Sequence, residues 1–250
     1  MLGLCSVTFS DKRVSEVVAI AKEAGLDGIE WSAKAHVKPG DWRLAFETLR
    51  ECRAAGLTIP SYGTYYTVGS YEDFDVILQT AEILEASAIR VWAGEEGSVE
   101  TSDEKRQAIV ADAQRIAKLA AKNKQSIHFE YHRHSLTDTP ESALQLMKEV
   151  DQPNVFLYWQ PAESLTVVER VNSFRQLAPM VSTLHVFHWK DYNHRFPLED
   201  GKTEWQQYIQ IAQSQTPMPN YLFEFVKDND PAQLITDVAA FKAWLIAESK

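Results

Sequence analysis

Two cysteines in 250 residues, Cys5 and Cys52, are too few for a disulfide framework. Both read as free thiols, Cys5 in a predicted strand and Cys52 on a predicted helix. Basic charge is short as well: 25 Lys and Arg face 35 Asp and Glu, for a formal net charge of −10. An acidic surface repels phosphate backbones and anionic lipid heads, so neither nucleic acid nor a membrane is an expected partner. No apolar run is long enough to span a bilayer. The opening Met1-Leu2-Gly3-Leu4-Cys5 lacks the basic start and cleavable apolar stretch of a secretory leader, which makes a reducing cytoplasm the expected location. Proline-rich linkers, low-complexity tracts and breaks in composition are missing too. That predicts one domain over residues 1–250.

What the chain does have is alternation. Short β-rich runs are expected at Leu2–Phe9, Gly28–Trp31, Thr58–Tyr62, Ala88–Trp92, Gln125–Tyr131, Asn154–Tyr158, Ser182–His188 and Tyr221–Phe225. Between them, apolar residues recur at helical spacing over Lys12–Ala24, Asp41–Ala55, Tyr71–Glu85, Ser102–Asn123, Thr139–Val150, Leu165–Gln176, Thr203–Gln213 and Pro231–Glu248. Ser102 reads as an N-cap, and Thr139-Pro140 as a cap followed by proline at the first helical position. Strands separated by helices must pair in parallel through crossovers. Eight such units in 250 residues predict an α/β fold, a single (β/α)8 TIM barrel. A doubly wound open sheet is the alternative. Its usual glycine-rich phosphate loop has no counterpart in Phe9-Ser10-Asp11-Lys12.

A (β/α)8 barrel carries its reactive groups at the C-terminal ends of its strands. Those ends hold Glu30-Trp31, Tyr62, Trp92, Glu130 with His132, Trp159-Gln160, His188 with Lys190, and Glu224. Glu130 and Glu224 are each embedded among bulky apolar residues, where an unpartnered carboxylate is costly. They are the expected catalytic pair, on strands lying on roughly opposite sides of the ring, where two carboxylates could move a proton between faces of one carbon. His185 and His188 have opposite parity in a regular strand, and His188, nearer the C-terminal end, is the preferred metal ligand. Imidazole with two carboxylates suits a divalent ion. The amide of Gln160 serves either a hard cation or a sugar hydroxyl. Trp31, Trp92, Trp159 and Trp189 offer flat apolar faces of the kind that meet carbohydrates, or pack between barrel and helices. Lys190 and Arg90 could read a phosphate or carboxylate, or be paired surface charges.

The segments Ala24-Gly25-Leu26-Asp27-Gly28-Ile29-Glu30-Trp31, Phe129-Glu130-Tyr131-His132, Val186-Phe187-His188-Trp189-Lys190-Asp191 and Leu222-Phe223-Glu224 resemble the xylose isomerase-like barrels, specifically the sugar phosphate isomerase/epimerase group. The resemblance runs over nearly the whole chain. It implies one divalent metal ion (Mn, Co, Mg, Fe or Zn) held by Glu130, Gln160, His188 and Glu224. Gln160 falls where the family has aspartate, so the site carries one negative charge fewer. The resemblance also implies a substrate-facing histidine after the second strand, matched by His36, beside substrate contacts from Glu30, Trp31, Tyr62, Trp92, His132, Trp159 and Lys190.

The expected function is therefore a metal-dependent sugar or sugar phosphate isomerase/epimerase, abstracting a proton next to a carbonyl. The alternative is a keto-sugar or keto-inositol dehydratase or lyase, which begins with the same step. An endonuclease IV-type hydrolase needs several metals and more ligands than Trp92-Ala93-Gly94 supplies, and the net charge of −10 opposes it. A carbohydrate-binding barrel without catalysis is the remaining reading, prompted by Gln160. Outward-facing Phe74, Trp205 or Trp244 would support a homo-oligomer.

Overall fold

The computed structural model describes residues 1–191 and 194–247. Its strands are β1 Leu2–Cys5, β2 Gly28–Ser32, β3 Ser61–Thr67, β4 Ala88–Trp92, β5 Ser126–Glu130, β6 Val155–Trp159, β7 Val181–Val186, β8 Trp189–Asp191, β9 His194–Arg195 and β10 Asn220–Phe223. The helices are α1 Val14–Glu23, α2 Trp42–Ala55, α3 Asp75–Ile83, α4 Asp103–Lys122, α5 Pro140–Val150, α6 Val167–Leu177, α7 Lys202–Gln213 and α8 Pro231–Ala247. β1 to β7 and β10 pair in parallel around a closed ring, the expected (β/α)8 barrel. Pairing of Leu2 with Tyr221 and of Leu4 with Phe223 closes it. The small antiparallel β8–β9 hairpin, which the sequence pattern did not announce, follows the seventh barrel strand. No helix among the described residues is long and apolar enough to cross a membrane.

Local chemistry explains the helix starts. Ser102 accepts from the amide of Lys105, Thr139 from Ser142 with Pro140 behind it, and Asp41 from Leu44. Thr166 forms a capping box with Glu169, so α6 begins two residues later than the apolar pattern suggests. The first strand stops at Cys5 rather than Phe9. The chain then coils into a short 3-10 turn, Ser6–Phe9. Two hydroxyls of that turn tie the ring's seam: Ser6 Oγ accepts from Ser32 N at 2.8 Å, and Thr8 Oγ1 from Phe225 N at 2.9 Å.

Strand register sorts residues into two layers. Neighbours in a parallel sheet share a face, and faces alternate along each strand. Cys5 is level with Glu30, Gly63 with Arg90, Glu130 with Tyr158, and His185 with Leu222, all turned into the barrel. Trp31, Tyr62 and Phe223 take the opposite parity and meet the helices. Phe74, Trp205 and Trp244 are buried in that outer layer at 1%, 1% and 4% exposure, so they do not form the outward face expected of them. The exposed large aromatics on the helices are Trp42 and Phe46 of α2 instead.

His128 sits inside the barrel, between the hydroxyls of Ser126 (2.7 Å from Nε2) and Ser182 (2.6 Å from Nδ1) and beside the rings of Phe156 and Tyr158. Burial pushes its pKa down to about 3. The unfolded chain protonates this imidazole below pH ~6.5, whereas the fold refuses the proton. Its contribution is therefore intact above pH ~6.5 and is lost as pH falls from there towards the folded value. Urea unfolding at pH 7 and pH 5 checks this. Wild type is expected to lose about 2 kcal/mol more than His128→Gln over that interval.

Candidate active site

The deepest charged layer is built around Arg90 of β4, which is 3% exposed. Its Nε donates to Glu30 Oε1 at 3.0 Å, and Nη1 to Glu130 Oε2. Glu30 is completed by the Ser61 hydroxyl, which donates to Oε2 at 2.7 Å. The guanidinium reaches both acids only because Gly63 lacks a side chain. A Cβ there would stand 2.6 Å from Glu30 Oε1 and 2.8 Å from Arg90 Nη2. Burial opposes the charge of Arg90, but Glu130 and Glu30 beside it outweigh that and hold it protonated. Burial likewise opposes ionisation of Glu130, and the guanidinium, then His185, overcomes it, leaving this carboxyl below the usual range. Glu224 has no such partner. Burial, reinforced by Glu130 against the pull of His185, holds it above the usual range.

Arg90 takes one oxygen of Glu130 and leaves the other for a second cluster. His185 of β7 is fully buried. Three oxygens from three other strand ends converge on its Nδ1: Gln160 Oε1 at 3.0 Å, Glu224 Oε2 at 3.3 Å and Glu130 Oε1 at 3.6 Å. Nδ1 donates to the amide oxygen, and Nε2 is buried without a hydrogen-bond partner. Ligand atoms ~2.1 Å from one ion and at right angles to each other stand ~3.0 Å apart. Two carboxylates, an amide and an imidazole at these separations fit a divalent cation in place of the Nδ1 proton. Glu130 and Glu224 come from strands three places apart in the ring. They flank one histidine rather than facing each other across the mouth.

Above this cluster opens a cavity of about 750 Å³, sized for a small molecule. One wall is aromatic: Trp92 lies 4.5 Å from His132 and 6.5 Å from Tyr65, ring to ring. Two ammonium groups stand at the mouth, Lys34 over Tyr65 at 5.4 Å and Lys190 over Phe196 at 4.8 Å. Neither is in an ion pair among the described residues. Arg133 and Glu163 pair at 3.4 Å across the rim.

Of the residues singled out in the sequence, Glu130, Gln160, Glu224, Trp92, His132 and Lys190 line this cavity. Glu30 lies beneath it as the partner of Arg90. Four others belong to the layer between barrel and helices. Trp31 is fully buried and meets His36 edge-on at 5.3 Å. The Nε2 of His36 is bound to Lys12 O at 3.2 Å, and the Tyr62 hydroxyl donates to Val37 O. Trp159 donates to Ser173 and stacks on Phe174 at 4.6 Å. His188 is the main correction. β7 ends at Val186, so His188 lies beyond the strand, half-buried, packed on Gly201 and Phe196. His185 holds the place expected of it. Strand parity gave the signal, since Thr183 and His185 share the inward face. Arg90 was missed as a central residue. A lone arginine within Ala88-Ile89-Arg90-Val91-Trp92 needs buried acids, and Glu30 and Glu130 were both at hand.

Residues 18–244 match the family model of the xylose isomerase-like TIM barrels. A 3-dehydroshikimate dehydratase of Bacillus anthracis is 29% identical over 200 residues, which are 73% of this chain and 70% of that protein. Among solved structures, a probable 3-DHS dehydratase of Bacillus anthracis, involved in petrobactin synthesis, superposes with a TM-score of 0.81 at 23% identity, covering 96% of this chain and 98% of its own. A D-allulose 3-epimerase from Methylomonas sp. superposes at 0.74 with 17% identity over 97% and 96% of the two chains. At these identities the two structures share the fold with this chain.

Removing Arg90 strands two buried acids. Arg90→Met is expected to cost about 3–5 kcal/mol in urea unfolding, and the double variant with Glu30→Gln to recover part of that loss. A single variant within 1 kcal/mol of wild type would show that the guanidinium is not the counter-charge of this layer.

Proposed function

Because the chain belongs to the xylose isomerase-like TIM barrel family, we propose that it is a dehydratase acting on 3-dehydroshikimate or a closely similar cyclic hydroxy-ketone carboxylate. The observation that carries this reading is the convergence of Glu130, Gln160 and Glu224 on His185 beneath a cavity of about 750 Å³. Support for the substrate class comes from the 29% identical dehydratase and from Lys34 and Lys190 at the mouth, which suit a carboxylate that a neutral sugar lacks.

In this reading Glu130, Gln160, His185 and Glu224 hold a divalent cation. Bound there, the ion supplies a Lewis acid for the substrate carbonyl and its neighbouring oxygen. The protein's own groups move the protons. Glu130, kept charged by Arg90, takes the proton from the carbon beside the carbonyl. The electron pair becomes a carbon–carbon double bond as the C–O bond to a hydroxyl breaks. Glu224, whose carboxyl burial shifts above the usual range, relays a proton to that hydroxyl, and water leaves. Exchange with solvent resets both carboxyls. Trp92 and His132 present flat faces to the ring, and the ammonium groups of Lys34 and Lys190 orient its carboxylate.

A keto-sugar epimerase is the second reading, favoured by the two glutamates that flank one point from different strands. It shares the first proton transfer and differs in returning that proton to the other face of the carbon.

The two readings separate in one assay. With manganese or cobalt and 3-dehydroshikimate, a dehydratase produces the ultraviolet band of a dihydroxybenzoate, since loss of one water makes the ring aromatic. Glu130→Gln and Glu224→Gln are expected to slow this at least ~100-fold. His185→Ala is expected to lose both turnover and manganese binding, whereas His188→Ala keeps them. Absence of the aromatic band, with deuterium entering a keto-sugar carbon, would replace this reading by the epimerase.

A further inference from the structure

Beside the cluster on His185 lies a group that the proposed mechanism does not use. Cys5 ends β1, is 1% exposed and is level with Glu30 in the sheet. Its thiol has a weak contact, 3.8 Å, with Glu30 Oε1. The sulfur, a ring nitrogen of His185 and a carboxylate oxygen of Glu224 all lie within 4.8 Å of one another. The imidazole nitrogen on which the oxygens of Gln160, Glu224 and Glu130 converge, Nδ1, is the one an ion here would take.

We propose that Cys5 is a thiolate ligand of the site's divalent ion, together with His185 and Glu224, and that the ion is accordingly a thiophilic one such as zinc, cobalt or iron rather than magnesium. This inference rests on the reading of the His185 cluster as an ion site. Charge supports it. Gln160 is neutral and Glu130 shares its charge with Arg90, so Glu224 is the one oxygen donor whose charge no guanidinium contacts. A thiolate supplies a further negative charge at the ion. Reach supports it as well. Sulfur ~2.3 Å and nitrogen or oxygen ~2.0–2.1 Å from one ion stand ~3.5–3.8 Å apart at tetrahedral to trigonal angles, so the side chains close in by about 1 Å at most to share it. The step balances without any redox partner: the S–H bond gives up its proton to solvent as the sulfur–metal bond forms. Soft sulfur binds this group of metals and not magnesium, which demands oxygen ligands.

Cobalt(II) titration of the chelator-stripped protein, under nitrogen, reads the sulfur directly. The expected result is visible d–d absorption together with a near-ultraviolet thiolate-to-cobalt band, both saturating at one equivalent. Cys5→Ser keeps the d–d absorption, loses the ultraviolet band and binds cobalt at least about tenfold more weakly. Cys52→Ser keeps both. Zinc displaces the cobalt, and a large excess of magnesium does not. Cobalt d–d bands in wild type without the charge-transfer band would overturn the role of Cys5 and leave the ion site standing. A charge-transfer band that survives Cys5→Ser overturns it as well. No cobalt absorption at all would overturn this inference and the ion site together.

Discussion

The ion pairs of Arg90 at the centre of the barrel set the terms for everything above them. Burying a guanidinium and two carboxylates costs several kcal/mol per ion unless each is paired and hydrogen-bonded. Arg90, Glu30 and Glu130 meet that condition with help from Ser61 and from the space that Gly63 leaves. The pairing also has a direction. It ties down Oε2 of Glu130 and turns Oε1 towards His185. One buried cation thus favours the charged form of the Glu130 carboxyl and sets its orientation together. Glu224, three strands away in the ring, contacts His185 but not the guanidinium, and is shifted the other way. Two identical side chains are shifted in opposite directions by their surroundings.

This arrangement reconciles a strongly acidic chain with the anionic substrate proposed for it. The net charge of −10 belongs to the whole surface. At the cavity the deep acids are neutralised or bound to His185, and the groups left facing the mouth include Lys34 and Lys190. Gln160 fits the same pattern. Its amide oxygen joins the oxygens that gather around Nδ1 without adding charge to a layer that already holds three carboxylates and one guanidinium.

The fold was legible because its signal is repeated. Eight alternations of β-rich and amphipathic segments leave few architectures, and an error of a few residues at one element does not change the count. The site was legible only in part, because each of its residues depends on where one strand ends and which way it faces. Glu130, Gln160 and Glu224 sit on or just beyond inward positions, and all three line the cavity. His188 was preferred on its closeness to the strand end, but the strand stops at Val186 and the chain turns into the β8–β9 hairpin. Trp31, Tyr62 and Trp159 were grouped with the mouth by position along the chain, yet each takes the outward parity and packs against helices. Applying alternation at every strand, rather than counting from its end, would have moved all four. The partnership of Arg90 with Glu30 and Glu130 links residues 60 and 40 positions apart, which no local pattern can reveal.

The central claim is that one cation belongs at the point where β5, β6, β7 and β10 present Glu130, Gln160, His185 and Glu224. Anomalous diffraction from crystals soaked in manganese tests it most directly. The account predicts one strong peak within bonding distance of His185 and both glutamates, with Arg90 still paired to Glu130. A peak at His188, or none in the barrel at full soak, would contradict it.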